Sequence, residues 1–375
     1  MSVAFGADGR SLVTGGLDGV AMLWSLADQR RVVELARLGP FTGAPEIVRF
    51  SPDRRTFITA GNDDPITVWD IVDREHPVRL ATIGTEAETT HNVAVSPDGT
   101  MLVHAIFDQP PVLWDITDPS HPTTIGPVGD VPGEASFAPD GRTLVRYGGD
   151  GGVDLWDISQ RGQPVRIGAV GPAGDKYRNR AVFSPDGQTL AIAGNDTTVL
   201  WNVTNRAHPT RLATMTGVGR WYVAFRPDGR FLAVDGPGVV LSLWDVSRPD
   251  RPTRVSSVTG DNSHRDVAFS PDGLVIATGS PGAVGTLWNV SNPASPTQLA
   301  LVTGHAGSVY NVAIDFDGRT LATGSYDLTA RLWDMPAAIG NLHDPVAVAC
   351  ALAGPGLSTE DWQNYLAGLP QRTIC

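Results

Sequence analysis

Lysine is almost absent from this chain: Lys176 is the only one, and every other basic side chain is arginine. A formal net charge of −12 accompanies that shortage. No basic stripe is present to follow a phosphate backbone, so nucleic acid is excluded as a general partner. An anionic membrane surface is disfavoured for the same reason. Cysteine is scarce too. Cys350 and Cys375 both stand near the C-terminus, so a disulfide framework cannot hold the main fold. No apolar run reaches the roughly 18 residues of a membrane-spanning helix. No charged region followed by a long apolar stretch opens the chain, so no signal peptide is expected. The expected location is cytoplasmic, or extracytoplasmic if the chain is a piece of a membrane-anchored protein.

Catalytic signatures are missing as well. A phosphate-binding loop needs Gly-Lys-Ser/Thr, and the sole lysine lies in Asp175-Lys176-Tyr177. There is no Gly-x-Ser-x-Gly elbow, no His-Glu-x-x-His and no cysteine pair with zinc spacing. His76, His121 and His208 each precede a proline in equivalent connectors. Spread over separate repeats, they cannot converge on one metal. The chain therefore reads as a non-enzyme, without metal or cofactor.

What the chain does have is repetition. Trp24, Trp69, Trp114, Trp156, Trp201, Trp244, Trp288 and Trp333 follow one another at gaps of 45, 45, 42, 45, 43, 44 and 45 residues. Each is preceded by an apolar residue and followed by Asp, Asn or Ser. The last repeat is the cleanest. Ser308 to Ile314 alternates as a strand, Asp317-Gly318 turns, Thr320 to Ser325 is a second strand, and Thr329 to Trp333 a third. Turns such as Pro97-Asp98-Gly99 and Pro139-Asp140-Gly141 recur at the first reversal, where Pro presets φ and Gly accepts φ > 0. Outer strands follow at Val78 to Ile83, Val165 to Val170 and Thr210 to Met215. The count is eight inner triplets and seven outer strands.

These residues resemble the WD40 repeat family over residues 1–335. The resemblance implies an all-β fold, a β-propeller of WD40 repeats with blades around a central channel; the repeat count implies eight blades. Family members link a His, a Ser or Thr, a turn Asp and the Trp by hydrogen bonds. Here the last repeat alone carries the set, as His305, Ser325, Asp327 and Trp333. The turn Asp recurs at Asp18, Asp63, Asp108, Asp150 and Asp196. Gly238 and Gly282 replace it in the sixth and seventh repeats, so those turns are expected to be held more loosely.

Met1 falls inside the first inner strand, leaving no N-terminal outer strand for the last blade. Either the eighth blade has three strands, or the tail supplies the fourth, or the chain is the C-terminal part of a longer gene product. The tail, residues 336–375, reads as short helices. Val346 to Ala353 ends at Gly354, and Ser358-Thr359-Glu360-Asp361 caps a segment with Trp362, Tyr365 and Leu366 on one face. It resembles the segment that follows propellers in large multidomain bacterial regulators. Cys350 and Cys375 either pair as a disulfide or stay as ordinary thiols.

Aligning the start of the inner strands gives a column of Glu46, His91, Gly133, Asn179, Trp221, Arg265 and Tyr310. A second column, just before the turn Asp, holds Leu17, Asn62, Phe107, Gly149, Asn195 and Tyr326. Trp, Tyr and Arg dominate binding hot spots. The candidate partner-binding residues are Trp221, Arg265, Tyr310, Tyr326, His91 and Phe107. The expected function is a non-catalytic scaffold that docks or senses a protein or peptide, in a bacterial regulatory or signalling system. The alternatives are a C-terminal fragment of a larger multidomain regulator, and an enzyme or small-ligand binder using the channel mouth.

Overall fold

The Pro-Asp-Gly turns reverse the chain as their chemistry demands. Gly99, Gly141, Gly187, Gly229, Gly273 and Gly318 take φ between 65° and 72°, and the aspartate before each caps the turn. Asp98 Oδ1 accepts the Thr100 amide at 3.0 Å and Asp140 Oδ1 that of Arg142 at 2.9 Å. Burial opposes ionisation of Asp53, but hydrogen bonds from Thr56 and the Arg55 amide outweigh it and hold the carboxyl below its usual range. In this repeat Arg54 stands where the others have glycine, at φ 60°.

The computed structural model describes residues 2–5, 11–15, 21–25 and 32–335, apart from 62–63, 86–87, 149–151, 172–179, 195–196, 219–221, 237–238 and 260–265. Residues Val33–Asp334 form one compact unit. It contains seven antiparallel sheets of four strands each, ordered from inner to outer. The inner strands are Ile47–Phe50, Thr90–Val95, Glu134–Phe137, Arg180–Phe183, Val223–Phe225, Val267–Phe269 and Val309–Ile314. Each lies against the next, and the seventh lies against the first, so the ring closes. Outer strands Val78–Ile83 and Val165–Val170 coincide with their sequence assignments, and a third runs Thr210–Thr216. Among the described residues no helix is long and apolar enough to cross a membrane.

The ring has seven blades, not the eight expected from the repeat count. Val33–Leu38, at the distance from Trp24 that separates Val78 from Trp69, occupies the outer edge of the last blade instead. It pairs Trp333 with Glu34 and Asp334 with Val33, as Trp69 pairs with Arg79 and Asp70 with Val78. The bulge before the tryptophan, between Leu332 and Trp333, also matches the one between Val68 and Trp69. The last blade thus has its fourth strand without the tail. Strands Ser2–Phe5, Ser11–Gly15 and Ala21–Ser25 belong to a separate unit, where they pair as a three-stranded antiparallel sheet. The helices expected in the tail, and Cys350 and Cys375 with their disulfide alternative, lie outside the described residues.

The core lies between neighbouring blades. At the closure seam Ala36, Leu38 and Leu332 pack with Val48, Phe57 and Ile71. Fully burying side chains of this size is worth about 1.5–3 kcal/mol each. Arginine five residues after a ring tryptophan clamps a blade to its predecessor. Arg74 reaches Asp315, Asp317 and Thr320 across the seam, Arg161 reaches Asp115 at 2.8 Å, and Arg206 reaches Asp140 at 3.5 Å. Arg331 adds an ion pair of 2.8 Å to Glu34 of the closing strand.

Candidate functional site

Ring closure brings the eighth repeat against the second. The Val48 amide donates to Asn311 Oδ1 at 2.9 Å, joining residues 263 apart in sequence. On the rim above this seam, Tyr310 sits on the inner strand of the last blade and Tyr326 in the turn after Thr320–Ser325. Their ring centroids are 4.2 Å apart with planes inclined at 39°. The hydrogen bond with Tyr310, partial burial and the charge of Glu46 all push the Tyr326 hydroxyl above the ordinary phenol range. Glu46, just before the inner strand of the first blade, also acts on the next blade. There His91 packs against Phe107 with centroids 5.0 Å apart. Burial lowers the His91 pKa and Glu46 opposes the shift, so its imidazole is neutral at neutral pH. Asp108, at φ 56°, shapes the turn that carries Phe107. Phe107 is 62% exposed and Tyr326 49%, which is unusual for large rings with no function in the core.

Four of the six candidate partner residues therefore fall into two aromatic pairs on either side of Glu46. Trp221 and Arg265 lie outside the described residues, as do Asp18, Asp63, Asp150, Asp196 and Gly238. Gly282 is described, and its turn is not bare: its amide donates to Ser280 Oγ at 3.1 Å. His76 and His121 pair with Asp73 and Asp118 in their own connectors, both at 3.0 Å.

The hydrogen-bonded set of the last repeat is assembled with one change of member. Trp333 Nε1 donates to Thr323 Oγ1 at 2.8 Å, Thr323 Oγ1 meets His305 Nε2 at 2.7 Å, and His305 Nδ1 meets Asp327 Oδ2 at 2.8 Å. A carboxylate only accepts and an indole only donates, so the proton of a neutral His305 sits on Nδ1 and the Thr323 hydroxyl donates to Nε2. Burial lowers the His305 pKa in spite of Asp327, in keeping with that neutral form. The hydroxyl in the relay is thus Thr323 and not Ser325. Trp333 pairs with Leu321, and its indole leans to the diagonal neighbour two residues along the same face. Ser325 instead donates to Gly307 O at 2.9 Å and accepts the Asp327 amide at 3.1 Å, holding the turn.

A further set of polar residues escaped the sequence reading by one position. Shifting the first column forward by one residue gives Asn92, Glu134, Arg180, Tyr222, Asp266 and Asn311, and Arg49 has the same strand parity in the first blade. Side chains alternate along a strand, so this column points away from the rim column. Six polar residues at one repeat position, in a segment otherwise apolar, was the available signal.

The family model for the WD domain, G-beta repeat, matches residues 1–25 and 296–334. No curated protein matches the chain. Seven four-stranded blades, tryptophans at a fixed third-strand position and the His-Thr-Asp-Trp relay of the last blade agree with that match and support a WD40 repeat β-propeller.

Proposed function

We propose that this propeller is a non-catalytic docking platform whose rim binds a protein or peptide. WD40 propellers commonly serve as interaction scaffolds. The observation that carries the reading here is the cluster of Tyr310, Tyr326, Glu46, His91 and Phe107, with two exposed aromatic rings flanking one carboxylate. Exposed aromatics that are already paired lose little entropy on binding and bury much area, which is the profile of a hot spot. Glu46 makes the patch acidic, so a segment offering a basic side chain complements it. Trp221 and Arg265 belong to the same sequence column and are proposed as further partner residues. The resemblance of the tail sequence to the segment that follows propellers in large multidomain bacterial regulators supports a bacterial regulatory setting.

The test is capture from extracts of the source organism with the full chain and with a Tyr326→Ala, Phe107→Ala variant. Both side chains are exposed, so circular dichroism should show an intact ring. Removing two hot-spot rings should cost about 2 kcal/mol or more each, enough to lose the partner from a washed matrix. Retention of every captured protein by the variant refutes the rim as the docking face.

A further inference from the structure

Below the rim, the channel throat holds two guanidinium groups whose hydrogen-bonding capacity is largely unspent. Arg49 Nη1 donates to Val48 O at 2.8 Å and to Asn311 Oδ1 at 2.7 Å. Its Nε and Nη2 have no hydrogen-bond partner among the described residues. Asn311 Nδ2 donates to Asp266 Oδ2 at 2.5 Å, and Arg180 Nη1 lies 3.7 Å from Asp266 Oδ1. Two side chains thus separate the two cations. Arg180 places its guanidinium 5.3 Å from the Tyr222 ring centroid and donates no hydrogen bond among the described residues. Its side chain is 29% exposed.

The carboxyls of the throat are committed to neighbouring donors. Asp266 is committed to Asn311 and to the Val312 amide at 3.3 Å. Asp235 accepts the Tyr222 amide at 3.2 Å. Glu134 accepts from Asn92 at 3.2 Å, and Asn92 also donates to Tyr147 OH at 2.9 Å. Burial raises the Glu134 pKa to about 7 against the opposing pull of Arg180, Asn92, Tyr147 and Arg49. Near neutral pH Glu134 is therefore only partly ionised, and its counter-charge to Arg180 and Arg49 is incomplete. Guanidinium forks match the paired oxygens of carboxylates and phosphates, and such charge-assisted bonds are stronger than neutral ones.

We propose that the channel throat binds a small oxyanion, a phosphate or carboxylate group, held by the Arg180 guanidinium. Isothermal titration calorimetry of the full chain with inorganic phosphate and with succinate tests this, the two probes separating a tetrahedral from a planar oxyanion. Saturable binding is expected for at least one. Arg180→Gln should weaken it roughly tenfold to a hundredfold, the worth of the charge-assisted bonds removed. Arg180→Lys keeps the charge without the fork and should weaken it several-fold; it also serves if the glutamine variant fails to fold. Arg254→Gln, on an exposed outer strand, should change nothing. With succinate, affinity should fall as pH rises through about 7, where Glu134 ionises, and Glu134→Gln should abolish that fall. No saturable heat with either probe overturns the proposal. So does unchanged affinity in either Arg180 variant, or an equal loss in Arg254→Gln.

Discussion

The indole nitrogens of the ring tryptophans divide into two groups, and one hydroxyl decides the division. Thr59, Thr278 and Thr323 each stand ten residues before a tryptophan and accept from Trp69, Trp288 and Trp333 at 3.0, 3.1 and 2.8 Å. At the equivalent positions His104 is turned to Thr90, Arg146 to Asp154, and Ala191 and Val234 have no acceptor to offer. The buried Nε1 atoms of Trp114, Trp156, Trp201 and Trp244 are left without a partner among the described residues. A buried donor without a partner costs about 1–3 kcal/mol, and the methyl group gained in a Thr→Val change returns about 0.8 kcal/mol. Thr278→Val should therefore destabilise the ring by about 1–2 kcal/mol. Val234→Thr should stabilise it by about 0.5–1 kcal/mol, despite the methyl lost from a fully buried site. Urea unfolding followed by circular dichroism reads both as midpoint shifts at constant slope. The decisive arm is a cycle with Trp244→Phe, which has no N–H: there the gain from Val234→Thr should vanish. A gain that persists in the phenylalanine background, or a neutral Thr278→Val, would refute the reasoning.

His104 should make a contribution to stability that acid removes, opposed over much of the same range by Glu134, whose raised pKa lets the folded ring take up a proton first. Burial holds His104 at a pKa of about 4, below its usual 6.5, so at this group the unfolded chain takes up a proton first and its contribution falls as pH drops between those values. The His104 share of the loss approaches about 3 kcal/mol near pH 4, and it should be read as the change with pH in the difference between the urea midpoints of wild type and His104→Gln. Gly324→Ala should open the closure seam, because a Cβ there would lie 2.0 Å from Pro45 O. A cost above about 2 kcal/mol and a lowered thermal midpoint are expected, and a midpoint equal to wild type would disprove the clash. Arg54→Gly should gain about 0.5–1 kcal/mol in urea unfolding, since Arg54 holds φ 60° where six other ring turns use glycine.

Strand positions were legible because turn chemistry and alternation are local. The blade number was not, because the hydrogen-bonding edge of a strand carries no address. Val33–Leu38 has the spacing from Trp24 of an ordinary outer strand, and nothing in its residues says that Trp333 will be its partner instead. The relay hydroxyl was missed by two residues. Thr323 and Ser325 share a face and a chemistry, and only the diagonal lean of the indole selects between them. The throat was missed by one residue, because an aligned column shows which positions correspond but not which side of the strand faces the channel. The rim residues were recognised by type, yet their pairing across Glu46 depends on which repeats become neighbours.

Both candidate sites owe their existence to that closure. Had the first repeat stood between the eighth and the second, Tyr326 and Glu46 would lie a blade apart, and so would Arg49 and Asn311. Strand Val33–Leu38, the Arg74 clamp and the Arg331–Glu34 pair hold the seam on which the rim and the throat depend. A ligand that binds only the closed ring stabilises it by mass action, about 2.7 kcal/mol at a hundred times its dissociation constant. Occupancy of the throat should therefore offset part of the cost of Gly324→Ala. An anion that binds both chains with equal affinity yet leaves the unfolding midpoint of each unmoved would separate the site from the seam.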